Sequence, residues 1–284
     1  MIDANTSLIA LLGNPVSHSL SPRIHMAAIS HLRLNICYLA FCVPESRFES
    51  AFYGLEALGA IGANVTIPFK ERAFALVDHS DISAEATGAV NTIVFANNGS
   101  VGYNTDVVGI KEALNSLGHT SGSALLLGAG GASRAVLHVL AESGFSPIWV
   151  ANRSEDRVHK LIKDLKKRFP DAEVEVLSWG NFPPSPSVVV NATSLGLQGN
   201  PYTEGFVDSL LDAADGAKVL DLVYSPHGAT PLVDAARRRG MAAIDGIEVL
   251  LHQGAAAFEL FTKKKAPVDV MRRAIESLSG GEAS

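Results

Sequence analysis

The sequence predicts an α/β protein of two domains, each built on an open and mainly parallel sheet. Three observations predict this. Short β-branched and aliphatic runs alternate with longer amphipathic segments, the pattern of strand–helix–strand units. The alternation comes as two separate series, in a chain of 284 residues that is long enough to bury two cores. Past Asp245-Gly246 the pattern is helical only, so the final segment must pack on something already built.

The first series places strands near Leu8–Leu12, Ile36–Phe41, Ile61–Val65 and Thr92–Phe95, with Asn97-Asn98-Gly99-Ser100 as a tight turn. The helix after the first strand is expected to take Ser21 as its N-cap and Pro22 as its first helical residue. The next helix follows Pro44 and closes at Gly59. Thr105 to Leu117 carries apolar residues at helical spacing and reads as the connecting helix. A second series of strands begins at Ala124–Leu127 and continues through Ile148–Ala151, Val174–Leu177, Val188–Val190, Val219–Leu222 and Met241–Ile244. Pro183-Pro184-Ser185-Pro186 is a stiff loop inside it. Two last helices are expected near Ile247–Phe261 and Val268–Leu278. The domains are therefore drawn as 1–104 completed by 246–284, and 105–245.

Composition narrows the class. With 47% hydrophobic and 18% charged residues, and 25 glycines and 13 prolines in short clusters, the chain is an ordinary soluble protein. A net charge of -6 and a longest basic run of only Lys263 to Lys265 offer nothing to a polyanion, so no nucleic-acid partner is expected. No apolar stretch approaches the ~20 residues that span a bilayer, and Met1-Ile2-Asp3-Ala4-Asn5 lacks the basic start of a signal peptide. A cytoplasmic protein with no membrane partner is expected, monomeric or homodimeric. Cys37 and Cys42, with no second pair to complete a zinc site, read as buried core thiols, and no metal is expected.

Chemistry enters at two places. Gly128-Ala129-Gly130-Gly131-Ala132-Ser133 follows an apolar strand and opens an amphipathic run, the context of a dinucleotide-binding turn in a Rossmann-like domain. Glycines there let pyrophosphate approach the backbone, where the first helical amides present free donors. A plain glycine turn between strand and helix is the competing reading. At the end of the next strand, Asn152-Arg153-Ser154 has no carboxylate to bind a ribose 2′-hydroxyl. Arg153 and Arg157, one turn apart, instead suit a 2′-phosphate and favour NADP over NAD; mixed charges on an exposed helix start are the alternative.

The second place is the first domain. Ser17-His18-Ser19-Leu20-Ser21-Pro22 puts three hydroxyls between a strand and a positive helix end, where Ser19 and Ser21 suit an anion, or Ser21 simply caps the helix. Gly62-Ala63-Asn64-Val65-Thr66-Ile67-Pro68-Phe69-Lys70 puts Lys70 in the first turn of a helix, where the dipole disfavours a cation. Asp106, in Gly102-Tyr103-Asn104-Thr105-Asp106, is the candidate carboxylate partner near the edge of a cleft between domains; a surface lysine and an ordinary N-terminal aspartate are the alternative.

Taken in order, the serine-rich loop, Asn64 to Lys70, Gly88-Ala89-Val90-Asn91-Thr92, Asn104-Thr105-Asp106, the glycine loop, Asn152-Arg153-Ser154, Asn191-Ala192-Thr193-Ser194-Leu195-Gly196 and Gln253-Gly254-Ala255 resemble the shikimate dehydrogenase family over nearly the whole chain. Met26 departs from that pattern, which usually has asparagine there.

The resemblance implies an enzyme that reduces 3-dehydroshikimate to shikimate with NADPH, in aromatic amino acid biosynthesis. It implies that Lys70 and Asp106 are the catalytic pair, that Ser19, Ser21 and Tyr224 hold the substrate carboxylate, and that Thr66, Asn91 and Gln253 hold ring hydroxyls. Gly128, Ala129, Gly130, Gly131, Ala132, Asn152, Arg153, Ser154, Arg157, Thr193, Ser194 and Gly246 then contact the cofactor, although Thr193 and Ser194 equally suit a side-chain-closed turn. It also implies that the final helices return to the first domain. An NAD-linked quinate/shikimate dehydrogenase and a non-catalytic sensor of shikimate-like molecules or NADP are the competing functions.

Overall fold

The computed structural model describes residues 2–118, 121–197, 199–225 and 228–279, with only the backbone at 278 and 279. It divides into two compact units, 1–106 with 250–284, and 107–249.

The first unit begins with β1 (Ser7–Gly13), α1 (Ser21–His31) and β2 (Ile36–Cys42), then a single 3-10 turn, α2 (Phe48–Ala57), β3 (Gly62–Val65) and α3 (Lys70–Leu76). It continues through β4 (His79–Ser80), α4 (Ile82–Thr87), β5 (Thr92–Ala96) and β6 (Gly99–Tyr103). The sheet order is β2-β1-β3-β5-β6-β4. The first three strands are parallel, but β5 runs antiparallel to both β3 and β6. The turn at Asn97-Asn98 thus makes a β5–β6 hairpin, with Ala96 paired to Gly99. This hairpin decides where the site lies. Because β5 reverses against β3, its start sits beside the end of β3, and the second reversal brings the end of β6 to the same sheet end.

Two expectations need correction. Ser21 does not cap α1: it is the first helical residue, Leu20 is the N-cap, and the Ser21 amide donates to Ser19 Oγ at 3.2 Å. The cap's bond is made from two residues upstream, before Pro22, which has no amide to satisfy. Nor are both cysteines buried. Cys37 is half-buried and Cys42 exposed: β2 is the edge strand, and its residues 39–42 are exposed on both faces.

The second unit holds most of α5 (Asp106–Ser116), then β7 (Gly122–Leu127), α6 (Gly131–Glu142), β8 (Phe145–Ala151), α7 (Glu155–Lys166) and β9 (Val174–Leu177). After these come β10 (Val188–Asn191), α8 (Phe206–Ala213), β11 (Lys218–Asp221), α9 (Pro231–Arg238) and β12 (Ala243–Ile244). All six strands are parallel, in the order β12-β11-β10-β7-β8-β9. Alternate strand residues feed two cores. Leu126, Val150, Val188, Val190 and Leu220 pack with α5, α6 and α7, whereas Leu125, Leu127, Val189 and Val219 pack with α8 and α9. A sheet covered on both faces explains why its strands read as unbroken apolar runs.

Two helices, α10 (Ile247–Thr262) and α11 (Val268–Ser279), end the chain. From Leu250 onward they belong to the first unit. Arg23 of α1 donates to the Ala274 carbonyl at 2.6 Å and to Ser277 Oγ at 3.0 Å. Gly254 admits close packing of α10 on α1, since a Cβ there would stand 2.6 Å from Ile24. No helix among the described residues is long and apolar enough to cross a membrane.

Candidate active site

Four loops meet at the sheet end defined by the hairpin: those after β1, β3 and β6, and the one before β5. Lys70 opens α3 and Asp106 opens α5. A carboxylate in a first helical turn is favoured by the dipole and a lysine is not, and the two side chains resolve this by meeting. Lys70 Nζ lies 2.5 Å from Asp106 Oδ2, with side-chain exposures of 14% and 11%. At that burial the pair is shielded far better than a surface ion pair.

The other oxygen of Asp106 is also engaged. Asn91 Nδ2 donates to Asp106 Oδ1 at 2.7 Å, and to Gln253 Oε1 at 3.3 Å. Asn91 Oδ1 accepts from the Thr105 amide at 2.8 Å, and the hydroxyls of Thr92 and Thr105 also point to it, at 3.0 and 3.1 Å. A backbone amide can only donate, so the orientation of the Asn91 side chain is settled. Gln253 comes from α10 and anchors its own amide on the Leu250 carbonyl at 3.0 Å. The structure therefore brings together Lys70, Asp106, Asn91 and Gln253. As a ligand of a ring hydroxyl, Asn91 must exchange one of the contacts it already makes.

Other expected residues stand ready in a different sense. Ser21 is buried, Thr66 is half-buried, and neither hydroxyl has a hydrogen-bond partner among the described residues. Ser19 Oγ accepts from the Ser21 amide and keeps its proton free to donate. Tyr224 is half-buried and belongs to the second unit.

In the second unit, β7 ends in Gly128 at φ +109°, where a Cβ would stand 3.0 Å from the Ala192 carbonyl oxygen. Only glycine takes that turn without strain. Gly130 is exposed with open space around its Cα, and Gly131 and Ala132 begin α6. Ser133, at the sixth position of the motif, is fully buried and accepts the Gly130 amide at 3.1 Å. The loop is thus a bare backbone cradle at the start of a 12-residue helix, which fits a pyrophosphate. Ala129 is half-buried beside it.

After β8, Asn152 Nδ2 donates to the Ser154 carbonyl at 2.9 Å and fixes the turn into α7. Arg153 and Arg157 are exposed and form no ion pair among the described residues. The Thr193 hydroxyl is committed within its own loop: it donates to Asn191 Oδ1 at 2.7 Å and accepts the Leu195 amide at 3.1 Å, the side-chain-closed turn. Ser194 Oγ accepts from Asn200 at 2.8 Å. Gly246 has no room for a Cβ, which would fall 2.2 Å from the Leu222 carbonyl oxygen.

The sequence reading missed Asp221, at the end of β11. It is fully buried and accepts from Asn191 Nδ2, Thr230 Oγ1 and the Val223 amide at 2.8, 2.7 and 3.1 Å. Burial pushes its carboxyl up to about 6 against those three donors. Through Asn191 and Val223 it ties together the loops that carry Thr193 and Tyr224. An aspartate at the end of an apolar strand is the signal that could have found it.

Known proteins match along the same order. Residues 11–93 match the shikimate dehydrogenase substrate binding domain, 111–179 match shikimate/quinate 5-dehydrogenase, and 246–276 match the shikimate 5'-dehydrogenase C-terminal domain. A shikimate dehydrogenase (NADP(+)) of Rubrobacter xylanophilus is 43% identical over 96% of this chain and 97% of its own. The Thermus thermophilus shikimate 5-dehydrogenase crystallised with NADP(H) and shikimate is 32% identical, with TM-score 0.82 over 96% of this chain and 99% of that one. A quinate dehydrogenase of Corynebacterium glutamicum, crystallised with NAD, is 27% identical, with TM-score 0.83 over 96% and 99%.

Proposed function

Because the chain belongs to the shikimate dehydrogenase family, we propose that it reduces 3-dehydroshikimate reversibly to shikimate with NADPH, in the cytoplasm, as a step of aromatic amino acid biosynthesis. The observation that carries this reading is the buried Lys70–Asp106 pair, with Asn91 and Gln253 fastened to it and the hydroxyls of Ser21 and Thr66 without hydrogen-bond partners among the described residues.

NADPH, held by the Gly128–Ala132 turn and by Arg153 and Arg157, supplies the hydride. Lys70 supplies the proton. Of the three donors on its ammonium, one points at Asp106 Oδ2 and two remain for the ketone oxygen, whose developing charge the ammonium stabilises before the proton moves from Nζ. Asp106 holds Nζ in place and is itself held by Asn91, so the proton donor enters the reaction already oriented. Ser19 and Ser21, beside the start of α1, donate hydroxyl protons to the substrate carboxylate. Thr66 and Gln253 take ring hydroxyls.

For the cofactor, the lack of a carboxylate at the tip of β8, in Asn152-Arg153-Ser154, and the two exposed arginines, without an ion pair among the described residues, support a 2′-phosphate and hence NADP. One assay tests the whole reading: absorbance of the reduced cofactor is followed with shikimate or quinate, each offered with NADP or NAD. Rapid turnover of shikimate with NADP, and little in the other three combinations, is expected. Preference for quinate with NAD would replace the assignment, and no turnover in any combination would make the protein a sensor.

A further inference from the structure

Asn64 lies in the middle of β3, 5% exposed in an otherwise apolar strand, and its amide has a single possible orientation. Nδ2 donates to the Asn91 carbonyl at 3.2 Å, an atom that can only accept. Oδ1 is therefore turned the other way, where Tyr38 OH donates to it at 2.8 Å. Nδ2 also reaches Thr92 Oγ1 at 3.0 Å. Having accepted that bond, Thr92 directs its own proton to Asn91 Oδ1 at 3.0 Å or to Thr105 Oγ1 at 3.2 Å. Asn91 Oδ1 is an acceptor for the reason already given, so Asn91 Nδ2 faces Asp106.

The result is a buried chain of donors pointing one way: Tyr38 OH to Asn64, Asn64 to Thr92, Thr92 to Asn91, and Asn91 to the carboxylate that holds Lys70. Its far end is closely packed. Tyr38 is 2% exposed on β2 and stacks on His25 with ring centres 4.3 Å apart and planes within 8°. Neither His25 ring nitrogen has a hydrogen-bond partner among the described residues, and the imidazole meets the tyrosine through ring packing. Thr92 is fully buried. A core that needed only to be filled would have no use for hydroxyls at these two positions.

We infer that Tyr38 and Thr92 are positioning residues of the reaction: their hydroxyls set the Asn64 and Asn91 amides so that Asn91 Nδ2 holds Asp106, and through it Lys70, in the geometry that delivers the proton. The inference rests on Lys70 and Asp106 being the catalytic pair. Both hydroxyls are buried and spent on the chain of bonds itself, so each acts on kcat through the pair and leaves cofactor binding alone.

The test compares Tyr38→Phe, Thr92→Val, Thr92→Ser, the Tyr38→Phe/Thr92→Val double variant and Lys70→Ala in shikimate oxidation with NADP. Folding is monitored by circular dichroism, and kcat and both KM values are measured. Losing one link is expected to lower kcat roughly threefold to tenfold, the worth of one hydrogen bond, with KM for NADP unchanged. The double variant is expected to be no slower than the slower single, because both cut the same chain. Thr92→Val keeps the shape and loses the hydroxyl, whereas Thr92→Ser does the reverse. Recovery of most of kcat in the serine variant therefore supports positioning, and a serine variant slower than the valine variant overturns it in favour of packing. If Tyr38→Phe fails to fold, this serine–valine contrast decides alone. Wild-type kcat in Tyr38→Phe and Thr92→Val, or losses that multiply in the double variant, also overturn the inference. Full turnover in Lys70→Ala overturns the catalytic pair and this inference with it, whereas a dead Lys70→Ala beside a normal Tyr38→Phe overturns the inference alone.

Discussion

In the first unit Lys70, Asp106, Asn91 and Gln253 are bonded to one another and nearly out of solvent, while in the second unit Arg153 and Arg157 stand exposed with no ion pair among the described residues. Both groups are assigned to ligands, yet they are prepared for them in opposite ways. A group that must act in a transition state gains from orientation settled during folding, because reorganisation at the moment of reaction slows it. A group that recognises a phosphate gains from being left unpaired, because any ion pair it already made would have to be broken on binding. The same contrast holds among hydroxyls. Those of Thr92 and Thr105 are spent on orientation, and those of Ser21 and Thr66 are open.

The contrast breaks if the buried pair contributes to binding rather than to rate. Lys70→Ala should lower kcat by ~10²–10⁴-fold and shift the KM values only modestly, since it removes a proton donor but neither the carboxylate anchor nor the cofactor loops. Fluorescence titration with NADPH checks that cofactor affinity survives. The other arm is sharpened by Arg153→Ala, which should weaken NADP roughly ten- to a hundredfold, the cost of a charge-assisted bond, and leave NAD nearly unaffected. Equal losses for both cofactors would remove the arginine from the 2′-phosphate.

Much of this is legible in the amino-acid sequence, and unevenly so. The second unit reads well because a parallel sheet buried on both faces writes its strands as apolar runs, as at Ala124–Leu127 and Val188–Val190. In the first unit α4 escaped notice. Its signals are present, Asp81 capping the Ala84 amide and Gly88 leaving at φ +62°, but six residues are too few to show a helical period. Edge position hid the exposure of Cys42, because being last in a sheet is a property of topology rather than of the strand's own residues. Motifs named Lys70 and Asp106, and the dipole argument at Lys70 asked for the partner it has. The hydroxyl chain behind them could not be read. Thr92 and Asn64 are 28 residues apart, and they meet only because β5 reverses against β3 in one particular register.

Two buried ionisable groups carry the same comparison into stability. Asp221 has three donors, and the His25 ring nitrogens have no hydrogen-bond partner among the described residues. Burial pushes the His25 imidazole from its usual 6.5 down to about 3. A base depressed on folding binds its proton more readily when unfolded, so its contribution is complete above pH 6.5 and is lost as the pH falls from there toward 3. Relative to His25→Phe, which retains a ring against Tyr38 and cannot titrate, the wild type should lose about 2 kcal/mol between pH 7 and pH 5. Urea melts of both proteins at the two pH values measure it, and parallel curves would show that His25 is not buried neutral.

The central claim is that Lys70 and Asp106 act as one unit. It is tested most directly by kcat for shikimate oxidation in Lys70→Ala, Asp106→Ala and the double variant, at one pH and with saturating NADP. Residues that work only through each other should give a double variant scarcely slower than the more damaged single. Losses that multiply would mean two independent roles and would contradict the account.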